Sequence, residues 1–390
     1  MEKTAAPVDE TYEPDSIDAA SEAIETGSLA RLFSPRALVF IVLGIAAAIV
    51  GLYVLLPKLV GVHDAINRIG DAKWYWVVVA FGFVTLAFGA YAAVFRGVVG
   101  GGDDPRMTER LSLRASYEIT MAGFAGSTFF SAAGAGGLVV IYWALRKAGM
   151  EARRAACRMV ALLVLLYAFY VAAVIVFGVL LRTGVLPGSS PAAGTIIPAA
   201  VAGVLGVLAV LVALIPADFE RRIGLLEKRH GRGARIARRF ATIPGTVATG
   251  VRTAADRLRD PHAGWLVIAG GLLYWAGNIG VLWAAFHAFG VKVPFGVVVL
   301  GFFVGMAANV IPSPAAGAGP VDAGMIAAFL LFDIPKESVF PAVLTYRLIA
   351  FWLPTIPGIV AYFQLRRRVR QWESQDGPGY TSVSKVLEAT

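Results

Sequence analysis

Six uninterrupted apolar runs of about 20 residues each dominate the sequence, and they limit the folds that the chain can adopt. They cover residues 37–56, 74–95, 159–181, 194–215, 265–289 and 341–363. A helix of roughly 20 apolar residues crosses the hydrocarbon core of a bilayer. The composition agrees, because 57% of the residues are hydrophobic and only 16% are charged. The sequence therefore predicts an all-α polytopic integral membrane protein with about six full spans.

The pentapeptide AAGAG occurs twice, at residues 132–136 and 315–319. Each copy lies between an apolar segment (111–131 or 295–311) and a second segment of only 12 residues (134–145 or 321–332). A helix of 12 residues is roughly 18 Å long and does not cross a bilayer. We therefore predict two helical hairpins or re-entrant pairs, each folded at its AAGAG; we refer to 111–145 as hairpin 1 and to 295–332 as hairpin 2.

The distribution of Lys and Arg predicts the orientation of the chain. With a cytoplasmic N-terminus, and with each hairpin returning to the side that it enters from, 26 of the 35 Lys and Arg residues lie in the cytoplasm and six outside. Such a bias is the positive-inside pattern. The hairpins then point in opposite directions, as in the inverted repeats of many transporters. We expect a multi-pass protein of the plasma membrane with both termini cytoplasmic.

Three regions follow from composition. Residues 1–30 hold eight Asp or Glu and one Lys, which is typical of a disordered acidic cytoplasmic tail. Residues 31–368 form the membrane domain, and 369–390 a cytoplasmic C-terminal tail. The loop 216–263 carries 11 Lys or Arg against five Asp or Glu, and either serves as a solvated loop that sets topology or lies on the inner leaflet. The net charge of +9 is assigned to topology and anionic lipid, not to nucleic acid.

Few ionisable residues lie inside the predicted membrane segments, where a charge costs about 2.5 to 3.5 kcal/mol. They are Arg114, Glu118, Arg158, Asp322 and Arg347. Asp322 lies at the deep end of hairpin 2, and Arg347 lies six residues into the last predicted span, roughly 9 Å deep. We expect these two to form an ion pair, because buried membrane charges usually pair.

Polar and bend-forming residues near the AAGAG segments complete the predicted substrate site. They are Ser131, Gly134, Gly136, Asn309, Pro312, Pro314, Gly317 and Gly319. Irregular backbone at membrane depth is tolerated where it is buried in protein or lines a wet cavity, which favours a transport cavity. The alternative is that AAGAG only lets helices pack closely, as small-xxx-small patterns do.

Enzymatic signatures are absent. The sequence contains no HExxH, no GxSxG, no P-loop and no Cys/His cluster, and its single cysteine is Cys157. We therefore expect no enzyme, no cofactor, no bound metal and no nucleotide-driven pump.

The run NVIPSPAAGAGPVDAGMIAAFLLFDIPKESVFPAVLTYRLIAFWLPTIPGIVAYFQLRRR resembles the closing signature of the flippase-like membrane domain of lysylphosphatidylglycerol synthases. The matching positions are Pro312, Pro314, Gly317, Gly319, Asp322, Tyr346 and Arg347. Asp322 stands where the family has Glu, and one extra residue precedes the bend. Only 27 residues follow position 363, so we expect no soluble aminoacyltransferase domain like that of the full synthases, and the resemblance then implies a protein that does not make the lipid it handles.

What the resemblance implies is movement or exposure of a phospholipid or an aminoacylated phospholipid, with membrane lipids of anionic or zwitterionic head group as partners. Three arginines, Arg114, Arg158 and Arg347, would also suit the phosphate of a polyprenyl-phosphate carrier. Two further alternatives are an intramembrane lipid-linked transferase and a scaffold that binds a separate lipid-modifying synthase through the basic loop.

Overall fold

The computed structural model describes residues 72–100, 105–129, 135–213, 247–311 and 319–376, and this part of the chain is helical and contains no strand. Its helices, in chain order, are α1 (Trp74–Val99), α2 (Pro105–Arg110), α3 (Leu113–Phe129), α4 (Ala135–Lys147), α5 (Ala152–Arg182), α6 (Ile196–Ala213), α7 (247–259), α8 (Pro261–Ala288), α9 (Phe295–Met306), α10 (Pro320–Leu331), α11 (Lys336–Arg347) and α12 (Leu353–Asp376). A 3₁₀ turn, Ala307–Val310, extends α9, and a π-helix, Leu348–Trp352, joins α11 to α12.

Four of the described helices are long and apolar enough to cross a membrane: α1, α5, α8 and the continuous helix Lys336–Gln375. They correspond to four of the six predicted spans. A fifth prediction, 194–215, corresponds to α6, whose apolar part Ile196–Leu211 is shorter. The sixth, 37–56, lies outside the described residues, as do the acidic tail 1–30 and residues 216–246 of the basic loop. The last helix continues past 368 to Asp376, so the predicted C-terminal tail begins inside a helix.

Helices α1 and α8 form a closely packed antiparallel pair. At one end the backbone N–H of Lys73 donates to the carbonyl of Ala288. At the other end, a Cβ on Gly97 would lie 3.0 Å from the side chain of Val267. Between them, Gly270 approaches Val94 so closely that a Cβ there would lie 2.7 Å from it, because glycine permits close backbone approach. We call the two ends the Lys73 end and the Arg96 end.

Hairpin 1 consists of α3 and α4, and both of its outer ends lie at the Arg96 end. A cavity lined by Leu111, Arg96 and His262 links the start of α3 to that end. Lys147, the last residue of α4, pairs with Glu373 near the end of α12.

Hairpin 2 consists of α9 and α10, and both of its outer ends lie at the Lys73 end, where the Phe329 ring of α10 lies 4.9 Å from the Phe286 ring of α8. The turn after α5 contacts both, since a Cβ on Gly188 would lie 2.7 Å from Val297 of α9. The same turn meets the end of α10, where the Ser189 hydroxyl donates to the Asp333 carboxylate at 2.7 Å. The two hairpins therefore enter the bundle from opposite ends.

Glycines outside the AAGAG segments pack the two limbs of each hairpin together. In hairpin 1 a Cβ on Gly137 would lie 2.5 Å from the carbonyl oxygen of Gly123. In hairpin 2 a Cβ on Gly305 would lie 2.5 Å from the Cα of Met325. Gly319 differs, because an added Cβ there meets nothing within 4 Å. Close helix packing thus explains the glycines along the limbs but not Gly319.

Candidate functional site

Asp322 lies at the inner end of hairpin 2, in the first turn of α10. The helix begins at Pro320, a residue that suits the first helical position. Gly319 precedes it with φ of 91°, a conformation that side-chain-bearing residues rarely adopt. The Asp322 side chain is fully buried, and its Oδ2 accepts a hydrogen bond from the Gly319 N–H at 2.9 Å. The helix dipole and this N–H both favour a negative charge here.

Arg347, at the end of α11, is the partner of Asp322, as the sequence predicted. Its Nε lies 2.7 Å from Asp322 Oδ1, and the two side chains are 5% and 0% exposed. The two side chains therefore form a buried ion pair. Among the described residues, Arg347 Nη2 has no hydrogen-bond partner. A buried guanidinium therefore keeps donors that could hold another anion.

The backbone changes helical geometry directly after Arg347. Residues Leu348–Trp352 form a π-helix, and Pro354 follows it two residues later. Proline has no N–H to donate to the preceding turn, and a π-turn accommodates the missing hydrogen bond. Single π-turns are frequent at functional sites. The Arg347 guanidinium carbon also lies 4.3 Å from the centre of the Phe351 ring in this turn, which is within cation–π range.

Aromatic contacts connect this region to hairpin 1. The Phe351 ring lies 5.7 Å from that of Phe124 in α3, which in turn lies 5.0 Å from that of Phe88 in α1. Tyr346, beside Arg347, is buried with its ring 5.8 Å from Phe302 of α9. The segment from Tyr346 to Phe351 therefore lies between the two hairpins.

The helix that carries Arg347 begins before the predicted span. It begins at Lys336 and not at 341, so Arg347 is eleven residues, or roughly 17 Å along the axis, from the helix start. The span predicted from 341 excluded Lys336 and Glu337 because they are charged, although both residues are helical.

Glu118, in contrast, does not lie in this site. Its carboxylate receives two hydrogen bonds of 2.7 Å from Arg368 of α12, and Arg114 Nε lies 3.3 Å away. Arg368 is 21 residues beyond Arg347, which is roughly 30 Å along the helix. Each hairpin thus carries one buried carboxylate, and each carboxylate is held by a different arginine of the last helix.

A comparison with known families identifies this arrangement. The profile described as "Lysylphosphatidylglycerol synthase TM region" matches residues 41–358, most of the 390-residue chain. The chain belongs to this family. No curated protein matched it. The match includes both hairpins, Asp322 and Arg347, and it ends before Arg368. Membership and the apolar helices support a membrane-embedded protein with a lipid-related role.

Arg158, another candidate from the sequence, also lies away from the Asp322 site. Its guanidinium donates to the carbonyl of Val98 and lies 3.4 Å from the carbonyl oxygen of Gly100. These carbonyls end α1, so Arg158 caps a helix C-terminus, where a positive charge is favourable.

Some of the remaining predicted site residues lie in the described part of the chain, and others lie outside it. Asn309 is exposed in the 3₁₀ turn, and Gly136 is buried in α4, where its carbonyl oxygen would lie 3.1 Å from a Cβ on Gly126. Five more fall outside the described residues: Ser131, Gly134, Pro312, Pro314 and Gly317. Among the residues that are described, no group of three or more His, Cys, Asp or Glu could hold a metal ion.

The sequence did not single out Arg368 or the π-helix. Arg368 stands in the run Arg366–Arg370, which looks like a topology signal. A usable indication was the spacing of Leu365, Val369 and Trp372, all buried, which extends an apolar helical face past the last span. The π-helix had a weaker signal, the two prolines at 354 and 357 within an apolar run.

Proposed function

We propose that the chain translocates or exposes a polar-headed lipid, a phospholipid or an aminoacylated phospholipid, between the leaflets of the plasma membrane. The observation that carries the proposal is the buried Arg347 guanidinium, whose Nε lies 2.7 Å from Asp322 and whose Nη2 has no hydrogen-bond partner among the described residues. A guanidinium binds carboxylate and phosphate in the same forked geometry. A lipid phosphate would compete with Asp322 for Arg347 and open the pair.

The opposite entry of the two hairpins supports an inverted-repeat cavity. Apart from α2, α6 and α7, the described helices of each half follow the same order: a long helix, a hairpin of two shorter helices and another long helix. The long helices that begin the halves, α1 and α8, run antiparallel. In transporters with this symmetry the substrate site lies where broken helices meet near the midplane. The contacts of Arg347 with Asp322 and of Phe351 with Phe124 support such a site beside Arg347.

Orientation is part of the proposal and can be tested by labelling. We expect the termini and the Arg96 end to be cytoplasmic and the Lys73 end to face outward. In a Cys157→Ala background, a single cysteine at position 149 should resist an impermeant thiol reagent in intact cells, and one at 333 should react. Labelling at 149 from outside would contradict the inverted repeat.

A second candidate, a polyprenyl-phosphate carrier, uses the same observation, because Arg347 would hold any phosphate. An intramembrane transferase would need carboxylates that converge, and Glu118 and Asp322 are held by arginines roughly 30 Å apart along one helix. We therefore propose no catalytic role.

Purified protein in liposomes that contain a panel of head-group-labelled lipids would decide among these functions. Protein-dependent exposure of labelled phospholipids to an external quencher supports the main proposal. Exposure of the polyprenyl phosphate alone supports the carrier. Chemical conversion of a lipid without exposure would replace both by an enzyme. A scaffold would neither move nor convert lipid, and would instead retain a separate synthase through residues 216–263.

A further inference from the structure

A polar cavity of about 490 Å³ opens at the Arg96 end, away from the Asp322 site. It lies between α2 and α12 and is lined by Arg106, Glu109, Arg110, Arg368, Gln371, Trp372 and Gln375. Its volume is in the range of ordinary small-ligand sites, about 300–1,000 Å³. Arg106 and Gln371 at the rim are exposed, whereas Trp372 is buried beneath them. The cavity is therefore accessible from one side and closed by packed protein on the other.

The lining of this cavity is positive. Among the described residues that line it, three are arginines and one, Glu109, is acidic. Arg368 is fixed in place, because its Nε and Nη2 donate to the buried Glu118 carboxylate. These two bonds engage two of the five N–H donors of a guanidinium. Arg110 is also anchored, with its Nη1 3.5 Å from the carbonyl oxygen of Ala148. Arg368 and Arg110 are thus preorganised, which lowers the entropic cost of binding an anion.

The cavity also lies just beyond the apolar part of the last helix. The apolar part of the last helix ends near Phe363, and Arg368, Gln371 and Trp372 follow within about three helical turns. Basic pockets beside membrane helices on the cytoplasmic side are typical binding sites for acidic lipid head groups.

We propose that this cavity binds the phosphate of an anionic phospholipid head group, with Arg106 and Arg110 as its principal ligands and Arg368 as the fixed third arginine. The inference deepens the proposed function, because it places a first contact for lipid at the leaflet on the Arg96 side. A free phosphate ion offers the same chemistry, and the test below separates the two sources.

The test uses the full chain, purified in neutral detergent, and titration calorimetry with three probes. These are dihexanoyl phosphatidylglycerol, dihexanoyl phosphatidylcholine and inorganic phosphate. We expect the first to bind most tightly. Arg106→Gln and Arg110→Gln should each weaken it about tenfold or more, since each removes charge-assisted hydrogen bonds. The matched control is Arg259→Gln, which removes the same charge from an exposed side chain outside the cavity and should change the affinity by roughly twofold or less.

Each outcome bears on the proposal. Tight lipid binding that depends on both arginines supports the proposal. If inorganic phosphate binds as tightly as the lipid, the site recognises a soluble anion, and the lipid assignment is overturned. If Arg106→Gln leaves the affinity for phosphatidylglycerol unchanged, or if Arg259→Gln lowers it equally, the cavity is not the binding site. Should Arg110→Gln fail to fold because it loses its bond to Ala148, Arg106→Gln alone decides, since Arg106 is exposed.

The failure of this inference and that of the proposed function are distinguishable. Arginine-dependent binding in a protein that moves no lipid in liposomes would refute translocation and leave the cavity. Lipid movement without arginine-dependent binding would refute the cavity and leave translocation.

Discussion

Removing one partner of the Asp322–Arg347 pair should destabilise the protein more than removing both. Both side chains are buried, at 0% and 5% exposure, and their charged atoms lie 2.7 Å apart. Arg347→Met leaves a buried carboxylate whose described hydrogen-bond donor is the Gly319 N–H. Loss of one partner from a buried pair costs about 3–5 kcal/mol. The same reasoning holds for Asp322→Asn, which leaves a buried guanidinium.

The double variant Asp322→Asn with Arg347→Met buries no charge and should recover much of this loss. Asparagine at 322 can still accept the Gly319 N–H through its side-chain oxygen, so the helix start keeps its cap. We expect a coupling free energy of at least about 2 kcal/mol, in the upper range for neighbouring residues.

Reversible unfolding in mixed micelles, followed by far-ultraviolet circular dichroism, would supply the four free energies of unfolding. The matched control cycle is Asp256→Asn with Arg259→Met, an exposed pair 3.6 Å apart that should show no measurable coupling. Additive effects at Asp322 and Arg347 would refute the reasoning, because they would mean that neither charge stabilises the other.

Transport by variants of the same pair distinguishes the proposed lipid site from a purely structural ion pair. Asp322→Asn should leave Arg347 holding the lipid too tightly and slow turnover, whereas Arg347→Ala should weaken lipid binding. The charge swap Asp322→Arg with Arg347→Asp keeps the pair but moves the guanidinium. Full transport by the swap would show that Arg347 does not bind the head group from its own position.

Three further predictions concern other parts of the structure. Gly305→Leu should prevent folding, because its Cβ would lie 2.5 Å from the Cα of Met325. Gly319→Ala should fold with a loss of about 1–3 kcal/mol, because φ of 91° with ψ of −71° is unfavourable for alanine. Equal yields of the two variants after membrane extraction would contradict this. Arg158→Leu should lower the melting temperature by removing the cap on α1 without changing lipid affinity per folded molecule, and a changed affinity would return Arg158 to the substrate site. Hydrogen bonds from the backbone N–H groups of Ala263 and His262 lower the pKa of Asp260, so the ionised side chain stabilises α8 at pH values above the unfolded pKa. The difference in melting temperature between wild type and Asp260→Ala should therefore shrink as the pH falls through the folded pKa. A difference that grows would refute the cap.

The apolar centres of the helices could be predicted from the sequence, but their ends could not. The span predicted at 159–181 lies inside α5, Ala152–Arg182, whose first turns contain Arg153, Arg154 and Arg158. Hydropathy excludes such residues, yet a folded chain includes them when their charges reach water or carbonyl groups. The short limbs of the hairpins were predicted within two residues at each end, because glycine and proline mark where a helix begins.

The candidate site was predictable only in part. Asp322 and Arg347 could be paired because few charges lie at that depth, and a lone buried charge is costly. Glu118 could not be assigned a partner, since four arginines stand together at 366–370 and only the phase of α12 turns Arg368 toward it. The cavity beside Arg106 depends on how α2 meets α12, which no local pattern encodes.

Lipid exposure in liposomes tests the central claim most directly. The purified chain would be reconstituted with symmetrically distributed fluorescent phospholipid, and an impermeant quencher would be added outside. Wild-type protein should let the quencher reach label from both leaflets, Arg347→Ala should approach protein-free vesicles, and Arg259→Gln should behave as wild type. Quenching confined to the outer leaflet with folded wild-type protein, or exposure that is unaffected by Arg347→Ala, would contradict the account.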